Sequence, residues 1–379
     1  MNFGEDHDLF RKTVRDFVER ELRPRAGEFE AAGRLPRDVF TKMGALGLFG
    51  INYPEDVGGA GLDYGYVVAF AEELTRARSG GLNTSILVHA QMATPVIDAV
   101  GSDHVRRTFL PGMISGETIF GLGVTEPGAG SDVAAIRTTA RRDGDHYVID
   151  GAKTWITNGG IADYLTLLVK TDPGAGHRGM SLVVFPTATP GFSVGRVLDK
   201  LGNHASNTAE LAFDGCRVPV ANLIGDEGKG FYYVMKNFQG ERLIASINAV
   251  AAAERAWEDA RRYLEERQAF GQPIARFQIW RHELVEMATQ IEAGRRLAYH
   301  AADLYDRKQE ATKEISMAKA FCGEMAVRVV DRCLQAHGGY GYSEEYPMAR
   351  QYRDIRLTTI GGGTTEIMRE IIAKTLGLG

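Results

Sequence analysis

The chain has 379 residues, 44% of them hydrophobic and 25% charged, which is ordinary globular composition with length for two or three domains. Its 44 Lys and Arg against 49 Asp and Glu give a formal charge of −5, so no basic footprint for nucleic acid or an anionic membrane surface is expected. The three cysteines, Cys216, Cys322 and Cys333, form no CxxC pair and read as reduced, buried thiols of a cytoplasm-like compartment.

The first residues, MNFGEDHDLFRKTVRDF, are acidic at once and hold no long apolar run, so neither a secretory signal nor a transit peptide is expected. No stretch approaches the ~20 apolar residues of a membrane span. A cytoplasmic protein is the expectation. Phe10, Val14, Phe17, Val18 and Leu22 recur at helical spacing, and Pro24 is expected to end that helix. A second helix is predicted over Pro36 to Leu46, then a Gly- and Pro-rich loop from Asn52 to Gly61. Val67 to Thr75 and Thr84 to Val100 supply further helical segments.

From Thr118 to Leu223 the pattern changes to short apolar runs between turns: IFGLGV, HYVID, YLTLLV, SLVVF, FSVGRVL and AELAFD. Asp143-Gly144-Asp145 and Thr189-Pro190-Gly191 are turn chemistry. From Gly230 the 3.6-residue period returns, with long segments such as Leu243 to Arg267 and Glu314 to Ala336. The predicted fold is therefore α+β: an N-terminal helical domain (1–117), a central β-barrel or sandwich domain (118–223) and a C-terminal helical bundle (224–379).

Several short segments have the residue types that chemistry needs. TEPGAGSD (Thr125 to Asp132) follows the run IFGLGV; its turn glycines expose backbone N–H groups, and Thr125 and Ser131 add hydroxyls suited to a polar ring edge or a phosphate. The same string also describes a plain turn, and the Rossmann pattern GxGxxG is absent. KTWITNGG (Lys153 to Gly160) can set an indole and a hydroxyl beside a planar cofactor, or bury a core Trp. RQAFGQP (Arg267 to Pro273), followed by Gln278, offers a guanidinium whose fork matches pyrophosphate, although an Arg at a helix C-terminus is favourable in its own right.

Glu241 is the most informative residue. It shares a helical stripe with Val234, Phe238, Ala245 and Asn248, all apolar but the last, and none of its i±3 and i±4 neighbours is a cation. A carboxylate so placed should have a raised pKa, as a general base near neutrality requires. A buried Glu bridged to a distant Arg fits the same pattern. Two glycine clusters complete the set. One is QAHGGYGY (Gln335 to Tyr342), where His337 reads as a packed helix-end residue. The other is IGGGTTE (Ile360 to Glu366), where Thr364 or Thr365 can N-cap the last helix. No spacing of His, Cys, Asp and Glu suggests a metal site.

Taken together and in this order, TEPGAGSD, KTWITNGG, NTAEL, GERL, RQAFGQPI, QAHGGYGY with EYP, and RDIRL resemble the acyl-CoA dehydrogenase family over essentially the whole chain. The likeness is greatest to the long-chain branch, through GKGFYYVMK, QGERLIA and GGGTTEIMREIIAK. The resemblance implies a C-terminal four-helix bundle, FAD as cofactor, an acyl-CoA substrate, an electron-transfer flavoprotein as acceptor and a homotetramer. It implies that Leu122, Val124, Thr125 and Ser131 line the flavin, with Ser131 also meeting the CoA arm, and that Trp155 and Thr157 flank the ring. Arg267, Phe270, Gln278, Gln335, Gly338 and Gly339 would reach a neighbouring subunit's FAD. Thr364 and Glu366 would lie near the FAD pyrophosphate and ribose. Arg242 and Gly361, Gly362 and Gly363 would border the substrate. Many members have a catalytic Glu where this chain has Gly362; the long-chain and isovaleryl branches instead place it just before an arginine, here Glu241 before Arg242. Other readings are a catalytically silent scaffold, an acyl-CoA oxidase or another flavin thioester enzyme. Asn207 departs from the Asp often found there.

Overall fold

The stripe from Phe10 to Phe17 makes α1 (Glu5–Phe17), which buries Val14 and Phe17, in a computed structural model that describes residues 1 and 3–378. Pro24 bends the path without ending it. A π turn over Val18–Leu22 and a 3-10 turn over Arg23–Arg25 carry the chain into α2 (Ala26–Ala32). At the start of a turn proline's missing N–H costs nothing, which is why the helical path survives it. α3 (Arg37–Ala45) and α4 (Tyr64–Leu74) follow, the latter capped by the Asp63 carboxylate, which accepts from Gly65 N–H. The segment expected as one helix over Thr84 to Val100 is three pieces: α5 (Gly80–Leu87), a π turn (Val88–Met92) and α6 (Pro95–Val100). Pro95 cannot donate to the preceding turn, so the helix restarts there. α7 (Asp103–Ile114) closes the first helical group.

Eight strands come next: β1 (Phe120–Gly123), β2 (Thr139–Asp143), β3 (His146–Thr157), β4 (Tyr164–Lys170), β5 (Met180–Pro186), β6 (Phe192–Val197), β7 (Thr208–Pro219) and β8 (Leu223–Ile224). They form one sheet in the order β6-β7-β3-β2-β4-β5-β8, with β1 parallel to β4. β2 lies outside the runs picked out from sequence, because TARRD puts only Ala140 fully into the core. β3 joins HYVID and KTWIT into one twelve-residue strand. Tyr147, Ile149, Leu165, Leu167, Phe185 and Phe213 make a core inside the β unit. Leu168, Leu182 and Val184, from the other faces of β4 and β5, join the helical core. Burial on both faces explains why those two strands read as continuous apolar runs.

The chain then forms α8 (Gly230–Glu266), α9 (Gln278–Asp306), α10 (Thr312–His337), α11 (Pro347–Ile355) and α12 (Thr365–Thr375). α8, α9 and α10 pack on one another, and α12 lies along α10 as the fourth helix. Alanines on the inner faces, among them Ala253, Ala256, Ala298, Ala301, Ala318 and Ala326, let the backbones approach closely. All three cysteines are free and buried. Asp354 on α11 ties the parts together: its carboxylate accepts from Gly80 N–H at 2.8 Å in the first helical group and from Asn203 N–H beyond β6. Among the described residues no group of His, Cys, Asp and Glu could hold a metal ion, and no helix is long and apolar enough to cross a membrane.

Candidate active site

Glu241 sits in α8 on the face that carries the buried Val234. Its Oε2 is shielded from solvent and has no hydrogen-bond partner among the described residues. Burial pushes its carboxyl up to about 6, against the pull of the Arg242 and Lys319 charges. The space in front of it is left by Gly362: a Cβ there would lie 3.3 Å from Glu241 Oε1. Gly362 and Gly363 also have φ of +66° and +103°, conformations that glycine adopts without steric cost. Around this loop the cations are already engaged. Arg242 Nε donates to Gly362 O at 3.3 Å, and its guanidinium lies over the Phe238 ring at 5.7 Å. Lys319 Nζ donates to Thr358 O at 2.7 Å and Gly363 O at 3.2 Å. Thr364 is the residue that caps α12, its Oγ1 accepting from Ile367 N–H at 3.3 Å. A carboxylate with a raised pKa, a side-chain-free loop and a helix N-terminus thus meet at one place.

The β unit carries another group of the predicted residues. The loop after β1 is fixed by a buried ion pair, Lys153 Nζ to Glu126 Oε1 at 2.8 Å, and the same ammonium donates to Val124 O at 3.0 Å. Glu126 also accepts from the N–H groups of Arg137 at 2.6 Å and Thr138 at 2.9 Å, and Thr154 N–H donates to Thr125 O at 2.9 Å. Leu122 and Thr125 are half-buried, Val124 is buried, and Ser131 is exposed on the loop. A register shift in β3 between Lys153 and Ile156 places Trp155 at φ +60° and leaves it 60% exposed. The indole is therefore displayed, which removes the core-Trp reading. An aromatic residue in that conformation costs about 1–3 kcal/mol, so the surroundings must impose it. Asn158, buried three residues on at φ +63°, helps to do so by donating to Ser85 O at 3.0 Å and Phe120 O at 3.1 Å. Thr157 ends the strand half-buried. Asn207 uses its side-chain carbonyl to accept from Gly160 N–H at 2.8 Å, a role an Asp would fill equally.

The remaining predicted residues gather elsewhere. Arg267 lies over the Tyr340 ring at 5.8 Å, which brings RQAFGQP beside QAHGGYGY. Phe270 is 95% exposed with φ +52°, and Gln278, Gln335, Gly338 and Gly339 are exposed. His337 is buried and stacked on Tyr263 at 4.6 Å, as expected of a packed helix end. Arg267 follows Glu241 by 26 residues along α8, or about 39 Å at the helical rise of ~1.5 Å. Within one chain Arg267 and the Tyr340 turn beside it are therefore far from Glu241. Glu366 is exposed in the first turn of α12.

Three buried charged residues that hold these loops escaped the sequence reading. Lys319 had a signal: it falls on the stripe Ile315, Lys319, Cys322, Ala326, where a charge among buried positions is out of place. Glu126 and Lys153 had none, since 27 residues separate the partners of a pair that only the sheet brings together.

Models of the N-terminal, middle and C-terminal domains of acyl-CoA dehydrogenases match residues 4–117, 121–216 and 228–377. The chain is 40% identical over 376 residues to an acyl-CoA dehydrogenase of Bacillus subtilis, covering 99% of each. It is 38% identical over 377 residues to the mitochondrial long-chain specific acyl-CoA dehydrogenase of Sus scrofa, covering 99% of this chain and 87% of that one. The crystal structure of acyl-CoA dehydrogenase from Geobacillus kaustophilus superposes with a TM-score of 0.95 at 42% identity, over 99% of this chain and 98% of the other. The acyl-CoA dehydrogenase from Bacillus anthracis, solved complexed with FAD, gives 0.93 at 31% identity over 99% and 67%. The chain belongs to the acyl-CoA dehydrogenase family, flavoprotein oxidoreductases that act on CH–CH bonds with FAD as cofactor.

Proposed function

We propose that this protein oxidises a saturated acyl-CoA of medium, long or branched chain to the trans-2-enoyl-CoA, with Glu241 as the catalytic base and an electron-transfer flavoprotein as acceptor. The observation that carries this reading is the half-buried Glu241 carboxylate, whose unpartnered Oε2 lies beside a loop without side chains. The residues present fit FAD. Trp155 offers an exposed ring face, Thr125, Thr157 and Ser131 offer hydroxyls, and the eleven-residue α12 offers its N-terminus to phosphate. Bound there, FAD supplies the acceptor for the hydride that leaves the β-carbon.

The chain's own part begins with proton removal. Glu241 Oε2 has no hydrogen bond to break before it takes the α-proton, and its raised pKa gives it driving force while leaving it ionised above pH 6. Negative charge then develops on the thioester oxygen, for which the Gly362 N–H is the donor we assign; it donates to no acceptor among the described residues. One such preorganised donor is worth about 3 kcal/mol in a dry site. Arg242 borders the substrate space and fixes the loop through Gly362 O. The three glycines leave room beyond the α-carbon, which favours long or branched chains.

Arg267, Phe270, Gln278, Gln335, Gly338 and Gly339 are assigned to the FAD of a neighbouring subunit, because Arg267 ends α8 about 39 Å from Glu241 at ~1.5 Å per residue, beside the turn that follows Gln335. Exposed Ile279, Val285 and Tyr342 near them support burial in an oligomer, which we assign as a homotetramer of the cytoplasm. A silent scaffold has no need of an ionisable group kept at such cost, so retention of Glu241 disfavours it. A second reading has an observation of its own. A relative 39% identical over 374 residues is the acryloyl-CoA reductase (NADH) of Anaerotignum propionicum, so the same machinery can be poised for reduction.

The test is to add acyl-CoAs of graded length and branching to the purified yellow protein without oxygen and to follow flavin absorbance. Bleaching by one class establishes the half-reaction and names the chain. No bleaching by any saturated acyl-CoA, with reoxidation of reduced protein by enoyl-CoA, would select the reductase. Rapid reoxidation by air after bleaching would select an oxidase.

A further inference from the structure

Lys319 is 2% exposed, and no carboxylate forms an ion pair with it among the described residues. A buried ammonium so placed is costly unless its donors are satisfied. Two of its three donors go to the carbonyls of Thr358 and Gly363, which bracket the glycine loop. With Arg242 on Gly362 O, three carbonyls between residues 358 and 363 are turned toward cations. The amides of Gly362 and Gly363, in contrast, donate to nothing among the described residues. A loop with its carbonyls tied down and its N–H groups free is a receptor for negative charge. Lys319 Cε also lies 3.8 Å from the point where a Gly362 Cβ would be, with Glu241 Oε1 3.3 Å from that same point. The clamp and the base therefore face each other across one glycine.

We propose that Lys319 is a positioning residue of the reaction, holding the 358–363 loop so that Gly362 stays clear of the Glu241 carboxylate and offers its N–H to the thioester oxygen. This rests on the reading of Glu241 as the base. The charged groups facing Glu241 among the described residues are Arg242 on α8 itself and Lys319 on α10. From α9, Tyr305 packs its neutral hydroxyl against Gly240, and the loop contributes carbonyls and amides. Lys319 is thus one of two cations that favour the ionised base.

The experiment compares Lys319→Met, Lys319→Gln and Glu241→Gln holoenzymes with the wild type. It measures anaerobic bleaching per bound flavin across pH, at saturating and limiting acyl-CoA. Lys319→Met is expected to keep its flavin and change the half-saturating substrate concentration less than threefold. Its saturated rate should fall at least tenfold, and the acid limb of its rate profile should move to higher pH. Lys319→Gln, which returns one donor to the loop without charge, should recover part of the rate but share the displaced limb. Wild-type rates per flavin, an unmoved limb, or loss of flavin from both variants would each overturn the proposal, the last by making Lys319 a general scaffold residue. If Glu241→Gln is inactive while the Lys319 variants are normal, only this inference fails. If Glu241→Gln bleaches normally, the base assignment fails with it.

Discussion

Glu241 bears a stability cost together with its chemistry. The folded protein keeps the Glu241 proton to about pH 6, whereas an ordinary glutamic acid loses it near 4.5. Between those values the native state binds more protons than the unfolded chain, so this group's contribution to stability falls as pH rises through that window and stays lost above it. A shift of that size corresponds to about 2 kcal/mol. Glu241→Gln should therefore be more stable than wild type at pH 7–8, by about 2–4 °C in Tm, while losing at least ~10²-fold in bleaching rate. A Gln variant less stable than wild type at that pH would mean that the carboxylate has a partner in solution. In the wild type, the single-turnover rate should rise with pH through about 6 as the base ionises; a flat profile from pH 5 to 8 would remove Glu241 from the proton transfer.

Strand β3 is the element on which the proposed flavin wall depends. It carries Lys153, Trp155 and Thr157 in sequence, and its bulge turns the indole outward. Lys153→Met leaves the Glu126 carboxylate buried without its cation, a change that typically costs about 3–5 kcal/mol. Arg137 and Thr138 N–H groups still hold one face of Glu126, so the strand should persist while the loop carrying Thr125 and Ser131 loosens. The expected outcome is a lower Tm and a reduced flavin-to-protein ratio after gel filtration, with recovery in excess FAD. Full flavin retention in a destabilised variant would separate this ion pair from the cofactor site.

Over the whole molecule, α8 decides what one chain can do alone. It holds Glu241 in its first third and delivers Arg267 to its end, about 39 Å away at ~1.5 Å per residue. Phe270, 95% exposed at positive φ, is displayed where the chain itself provides no cover. The double variant Arg267→Ala/Phe270→Ala should keep its fold, yet lose flavin and dissociate, as read by light scattering and flavin absorbance on one sample. A smaller assembly with full flavin would show that the far end of α8 serves assembly but not the cofactor.

Periodicity by itself determined the α, β, α order, the packed side of α8 that contains Glu241, and the turn glycines, because each depends on neighbours within a few residues. The combined motifs pointed to the family, and the position of Gly362 showed that the base could not be there. Local pattern failed at Pro24 and Pro95, where a proline ring is tolerated or not according to which N–H the turn requires. It failed at β2, whose arginines hide a strand that only its neighbours β3 and β4 define. Tertiary structure alone paired Lys153 with Glu126, set Lys319 behind the glycine loop and exposed Trp155. Those contacts join residues 27 or more apart, or hinge on a bulge set by the partner strand. The charge and size of a side chain can be read from sequence, but whether it is satisfied depends on what the rest of the chain brings to it.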